Sequence, residues 1–162
     1  MISVRLSYHS EYLGRQTSVT LLIPKKKVEG GYSYLVLLHP KGGDHTVISR
    51  MTSLERYLEE GDLMVVMPDG GTGDYLDDPY LPYEDIMGEE LNKKLEHFFC
   101  VSKDPNRRYI GGLGEGAKAA EEIYREHMED YAGFISVLPE GGTWKDYDLA
   151  LEKKMKQLVY GG

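Results

Sequence analysis

The residues best placed to do chemistry are Tyr109-Ile110-Gly111-Gly112-Leu113-Gly114-Glu115-Gly116-Ala117. They read as a short strand, a glycine-rich turn and the first turn of a helix. A turn of this kind with the pattern G-x-S-x-G holds a serine on a strained backbone, ready to attack a carbonyl carbon. Here the frame is Gly112-Leu113-Gly114-Glu115-Gly116, and its central position is Gly114. Glycine brings no side chain, so it can neither attack a carbonyl nor carry an acyl group. The spacing predicts the shape of a catalytic turn without the atom that would do the chemistry.

The same stretch fits a second pattern, G-x-G-x-x-A, in which glycines let a pyrophosphate approach a helix N-terminus. Two features weigh against nucleotide binding. Glu115 puts a negative charge in the turn, and the motif follows several strands instead of opening the first βαβ unit. The plainer reading is that Gly114 relaxes a turn that holds no serine, because glycine tolerates such a backbone best.

Other reactive side chains carry less. His39 and His45 are more simply structural than metal ligands or bases, and no cysteine–histidine metal pattern is present. The single cysteine, Cys100, lies in His97-Phe98-Phe99-Cys100-Val101 and is expected to be buried packing; nothing places a Cys100–His97 pair beside the elbow. The segment from Asp69 to Pro82 is rich in Gly, Asp, Tyr and Pro, with Asp74, Asp77, Asp78, Tyr75, Tyr80 and Tyr83 in or next to it. Its tyrosines suit a sugar or aromatic acyl group. Its aspartates lack EF-hand spacing, and a solvated acidic loop is the simpler reading.

The elements that must position these residues alternate. Ile2 to Tyr8 and Ser18 to Ile23 read as strands, the second stopped by Pro24. Tyr34 to Leu38 and Leu63 to Met67 are continuous apolar runs, the mark of strands buried on both faces. Ser53 to Glu60 reads as helix, Tyr83 to Phe99 as an amphipathic helix, and Arg108 to Gly111 as a third central strand. A helix over Gly116 to Met128 and a fourth parallel strand over Gly133 to Leu138 follow. A last helix is capped by Thr143 with Asp146 three residues on, carries Tyr147, Leu151, Met155 and Leu158 on one face, and stops at Gly161. This order implies one α/β domain over residues 1–162, doubly wound and mostly parallel, with helix 143–160 at its end.

Composition narrows the partners. Across 162 residues the formal net charge is −8, which argues against nucleic acid, since phosphate binding needs clustered Lys and Arg. Lys25-Lys26-Lys27 is the one basic run and reads as a solvated turn. The start lacks the pattern of a signal peptide and no apolar run has membrane-spanning length, so a soluble cytoplasmic protein without metal or cofactor is expected.

Four stretches together resemble the esterase D, tributyrin esterase and S-formylglutathione hydrolase group of α/β-hydrolases. Ser10-Glu11-Tyr12-Leu13-Gly14-Arg15 and the strand to Pro24 are similar to the family's opening hairpin. Leu37-Leu38-His39-Pro40-Lys41-Gly42-Gly43-Asp44-His45 is similar to its oxyanion loop, with Pro40 where a glycine is usual. Val66-Met67-Pro68-Asp69-Gly70-Gly71, with Tyr83-Glu84-Asp85 and Gly88-Glu89-Glu90-Leu91, is similar to its pocket loop and following helix. Arg108 to Ala120 is similar to its elbow.

The resemblance implies an α/β-hydrolase-like sheet with an antiparallel N-terminal hairpin, truncated at its C-terminal edge. It implies a relic oxyanion hole from the backbone of Lys41 and Glu115, and a pocket rim of His39, Asp69, Tyr75 and Tyr83. The family's acid and histidine follow the serine in the chain, beyond the fourth central strand. Within this sequence no histidine follows His127, which is expected inside the helix after the elbow. All three triad members are therefore expected to be absent. The expectation is an esterase homologue that is inactive as a serine hydrolase and acts as a binding or interaction protein. An ester hydrolase with a non-standard or partner-completed site, and a nucleotide-binding protein, are the alternatives. A small ester or acyl compound is the expected ligand. The strand Gly133 to Leu138 and the final helix are expected to build a homodimer.

Overall fold

The computed structural model describes residues 1–70 and 85–161. Six strands form one sheet: β1 (Ile2–Ser10), β2 (Arg15–Ile23), β3 (Ser33–Leu38), β4 (Leu63–Pro68), β5 (Arg108–Leu113) and β6 (Gly133–Val137), in spatial order β1-β2-β4-β3-β5-β6. The first two make an antiparallel hairpin, and β2 pairs antiparallel with β4. From β4 through β3 and β5 to β6 every pairing is parallel. The doubly wound, mostly parallel sheet is thus as the alternation of strands and helices implied, and its N-terminal hairpin is as the family resemblance implied.

The apolar runs work because strand side chains alternate between faces. Tyr34, Val36 and Leu38 of β3 join Met64 and Val66 of β4 in one cluster, while Leu35, Leu37, Val65 and Met67 join the other. Helices α1 (Val47–Met51), α2 (Leu54–Leu58) and α5 (Trp144–Tyr160) cover the second face. Helices α3 (Leu91–Phe98) and α4 (Glu115–Glu126) cover the first. Both faces being covered is what lets these strands read as unbroken hydrophobic runs.

Helix α5 has the expected ends. The Thr143 hydroxyl accepts from the Asp146 N–H at 3.2 Å, and the Asp146 carboxylate accepts from the Thr143 N–H at 3.4 Å. Gly161 closes it in the left-handed region at φ 64°. Leu151 and Met155 are fully buried. No described helix is long and apolar enough to cross a membrane.

Three local expectations are corrected. The segment read as one helix to Phe99 instead contains a wider π-helical turn, Ile86–Glu90, before α3. Helix α3 ends at Phe98 and Phe99 is extended, so Phe99 packs inward and Cys100 is exposed, not buried. The chain leaves the helix there to bridge Val101 to Tyr32, which reverses the side that Cys100 faces. His127 caps α4 instead of lying within it, with its ring against Gly88.

Candidate functional site

Strand β5 delivers the elbow. Gly112 and Gly116 are the close-approach positions: a Cβ on Gly112 would stand 2.2 Å from the Gly116 carbonyl carbon, and one on Gly116 2.3 Å from the Leu38 carbonyl oxygen. Their missing side chains let α4 begin directly against β5 and β3. Both of these glycines face protein backbone.

Gly114 sits between them at φ 58° and ψ −121°, a backbone that side-chain-bearing residues rarely adopt. Its N–H donates to the Val137 carbonyl at 3.1 Å, and its carbonyl accepts from the Ala117 N–H at 3.0 Å. The turn therefore holds the strained geometry of a nucleophile elbow although its central residue has no side chain.

The place that a side chain would take is filled. A Cβ on Gly114 would stand 2.7 Å from the Tyr147 hydroxyl and 3.3 Å from the Pro40 Cβ. Tyr147 comes from the first turns of α5, where its ring packs at a tilt against Trp144, 5.5 Å between centroids. The sequence places Tyr147 on the apolar stripe of α5, and it does pack against the core on that face. Its polar end lying at residue 114 had no local signal, because the two residues meet only in the folded chain.

The loop expected to carry the oxyanion donors follows β3. Pro40 touches the elbow, so the turn holding Lys41 lies beside Gly114. Lys41 is exposed, Gly43 N–H donates to the Pro40 carbonyl at 3.1 Å, and Gly42 has φ 81°. Asp44 accepts from the N–H of Thr46 at 2.8 Å and from its hydroxyl at 2.6 Å, which fixes the entry to α1. Glu115 turns along its own helix toward Lys118, 3.4 Å away, so its carboxylate is directed to solvent.

His39 is under this loop rather than on a rim, only 1% exposed. Its Nε2 accepts from the Gly70 N–H at 2.9 Å, so the ring proton sits on Nδ1, which donates to the Pro40 carbonyl at 2.8 Å. Burial lowers its pKa and favours the neutral ring. The imidazole thus ties the end of β3 to the end of β4. His45 is also structural in its contacts, with Nδ1 2.8 Å from the Thr20 hydroxyl. Asp69 is half-buried just past β4, and its N–H donates to Ser18 at 3.1 Å. Tyr75 and Tyr83, with Asp74, Asp77, Asp78 and Tyr80, lie outside the described residues.

A second cluster, which sequence reading missed, locks the opening hairpin. Glu90, in the π-helical turn, accepts from the Ser10 hydroxyl at 2.6 Å and the Glu11 N–H at 3.0 Å. The Ser10 hydroxyl in turn accepts from the Leu13 N–H at 3.1 Å. Among the described residues one group has metal-ligand character: His127, Glu129 and Asp130, whose ligand atoms lie within 4.8 Å of one another. It lies at the far end of α4 from the elbow.

No protein-family model matches the chain, and neither does any curated protein sequence. Solved structures do. FphF, a fluorophosphonate-binding serine hydrolase of Staphylococcus aureus, aligns over 98% of this chain and 75% of its own, at 22% identity and a TM-score of 0.76. The S-formylglutathione hydrolase FrmB of the same organism aligns over 96% of this chain and 67% of its own, at 22% identity and a TM-score of 0.72. An S-formylglutathione hydrolase of Agrobacterium tumefaciens aligns over 94% and 62%, at 19% identity and a TM-score of 0.70. The chain therefore spans about three fifths to three quarters of the length of these enzymes.

Proposed function

From the α/β-hydrolase fold that this chain shares with esterases and S-formylglutathione hydrolases, we propose a protein that keeps the hydrolase elbow but does no serine-based ester hydrolysis. It acts instead as a binding or interaction protein. The observation that carries this reading is Gly114. Its backbone has the elbow's strained angles, its side chain is absent, and the Tyr147 hydroxyl stands where a nucleophile would project. Without a nucleophile, backbone donors alone give limited catalysis. The ligand class proposed is a small ester or acyl compound, which would compete with the Tyr147 phenol for the space beside Gly114. The closeness of Pro40 and Tyr147 to Gly114 supports a narrow site, and the Glu115 carboxylate is paired with Lys118 at 3.4 Å.

One observation favours a second reading, ester hydrolysis by a non-standard group: the Tyr147 hydroxyl itself occupies the nucleophile's place. A phenol attacks well only when a base takes its proton, and both ring nitrogens of nearby His39 are engaged. Turnover of p-nitrophenyl acetate separates the readings. The binding-protein reading expects background rates from the wild type and from Tyr147→Phe alike. Turnover in the wild type that Tyr147→Phe abolishes would replace it with the second reading. For nucleotide binding, the motif's two glycines lend no support: the missing side chain of Gly112 is accounted for by backbone packing, and the space at Gly114 is taken by Tyr147 and Pro40.

A further inference from the structure

We propose that His127, Glu129 and Asp130 bind a zinc ion. The site departs from the expectation of a chain without metal, and it does not depend on what the elbow does. It forms where α4 ends. The His127 N–H donates to the Ile123 carbonyl at 3.0 Å and closes the helix. The Asp130 N–H donates to the His127 carbonyl at 2.9 Å and closes a turn over residues 127–130, which brings its two end residues together. Both ends of the turn are anchored. The His127 ring packs on Gly88 of the π-helical turn, and Tyr131, next to Asp130, is buried with its hydroxyl donating to the Met87 carbonyl at 3.0 Å.

His127 points to a ligand. Its side chain is only 13% exposed, yet among the described residues neither ring nitrogen makes a hydrogen bond. A polar group so enclosed calls for a water or an ion to complete it. Nε2 faces Gly88, where a Cβ would stand 2.6 Å from it. Nδ1 faces the turn, 3.6 Å from Asp130 Oδ2. That separation is too long for a hydrogen bond. It fits the edge of a zinc tetrahedron, whose ligand atoms, about 2.0–2.2 Å from the metal, lie roughly 3.3–3.6 Å apart. The ligand atoms of all three residues lie within 4.8 Å of one another, and Glu129 is exposed, so rotation of its side chain closes the remaining gap. Among the described residues neither carboxylate is paired with a Lys or Arg, so two negative charges meet the two positive charges of the ion. An imidazole with two carboxylates suits zinc, whereas magnesium and calcium prefer all-oxygen sets. Three protein ligands leave the fourth position to water.

The test is zinc binding by chelator-stripped protein, read by competition with a chromophoric chelator and by native mass spectrometry. The wild type should hold one Zn²⁺ per chain, and zinc should raise its unfolding temperature. Cobalt(II) in its place should give the intense visible absorption of a four-coordinate site. Glu129→Gln and Asp130→Asn should keep the circular-dichroism spectrum of the fold. Each should weaken zinc by about tenfold or more, since losing even a partner behind a ligand costs that much. His127→Gln should abolish binding. Glu29→Gln, at an exposed acid elsewhere, and Cys100→Ser should bind zinc as the wild type does. A wild type that holds no zinc, equal binding by Glu129→Gln and Asp130→Asn, loss of zinc in Cys100→Ser, or displacement of zinc by an equal concentration of magnesium or calcium would each overturn the proposal.

Discussion

The Tyr147 hydroxyl lies 2.7 Å from the point where a Cβ on Gly114 would stand, so a helix 30 residues downstream fills the place of a nucleophile's side chain. Two separate obstacles then oppose any side chain at residue 114. One is the backbone at φ 58°, which costs about 1–3 kcal/mol for a residue other than glycine. The other is the contact with Tyr147. Gly114→Ala and Gly114→Ser should both lower the urea midpoint. Adding Tyr147→Ala should relieve the contact but not the backbone strain, with a coupling of about 0.5–3 kcal/mol in a double-mutant cycle. Additive effects would show that the two residues do not meet. Gly114→Ser should also fail to restore ester turnover, having no free imidazole to take its proton.

His39 predicts a pH dependence. Its pKa is lowered by burial, so between the folded value and the unfolded value of about 6.5 the unfolded chain binds more protons than the folded one. Stability is then complete above about pH 6.5 and falls as pH drops below it. Urea unfolding at pH 7.5 and 5.5 should show that loss, and His39→Gln should flatten it. An equal slope in the variant would assign the effect elsewhere.

The carboxylate of Glu90 holds the turn between β1 and β2 through Ser10 and the Glu11 N–H. Glu90→Gln replaces one accepting oxygen by a donor that faces donors. Hydrogen bonds to a charged group contribute about 1.5–3 kcal/mol, and a loss of that size is expected. Ser10→Ala should cost less, about 0.5–1.5 kcal/mol. Hydrogen exchange localises the effect: residues 10–15 should lose protection before the parallel strands do. Uniform loss across the sheet would contradict this.

The strands of the sheet were legible because a period of two on a doubly covered sheet leaves unbroken apolar runs, as in Tyr34 to Leu38 and Leu63 to Met67. The end of α5 was legible because caps are local chemistry, Thr143 with Asp146 and then Gly161. The contacts that define the site join residues far apart in sequence, and no local pattern announces them. Tyr147 reads as one more apolar position until it meets Gly114, and Glu90 as a helix acid until it meets Ser10. The exposure of Cys100 turned on where α3 stops, one residue earlier than an amphipathic pattern suggests.

Covalent labelling reads out whether the elbow carries a nucleophile. A fluorophosphonate probe reacts with an activated serine, and the adduct is read as a mass increase on the intact protein. The wild type should show no adduct after prolonged incubation, with a known serine hydrolase labelled in parallel. A stoichiometric adduct mapped to any serine of the wild-type chain would contradict it.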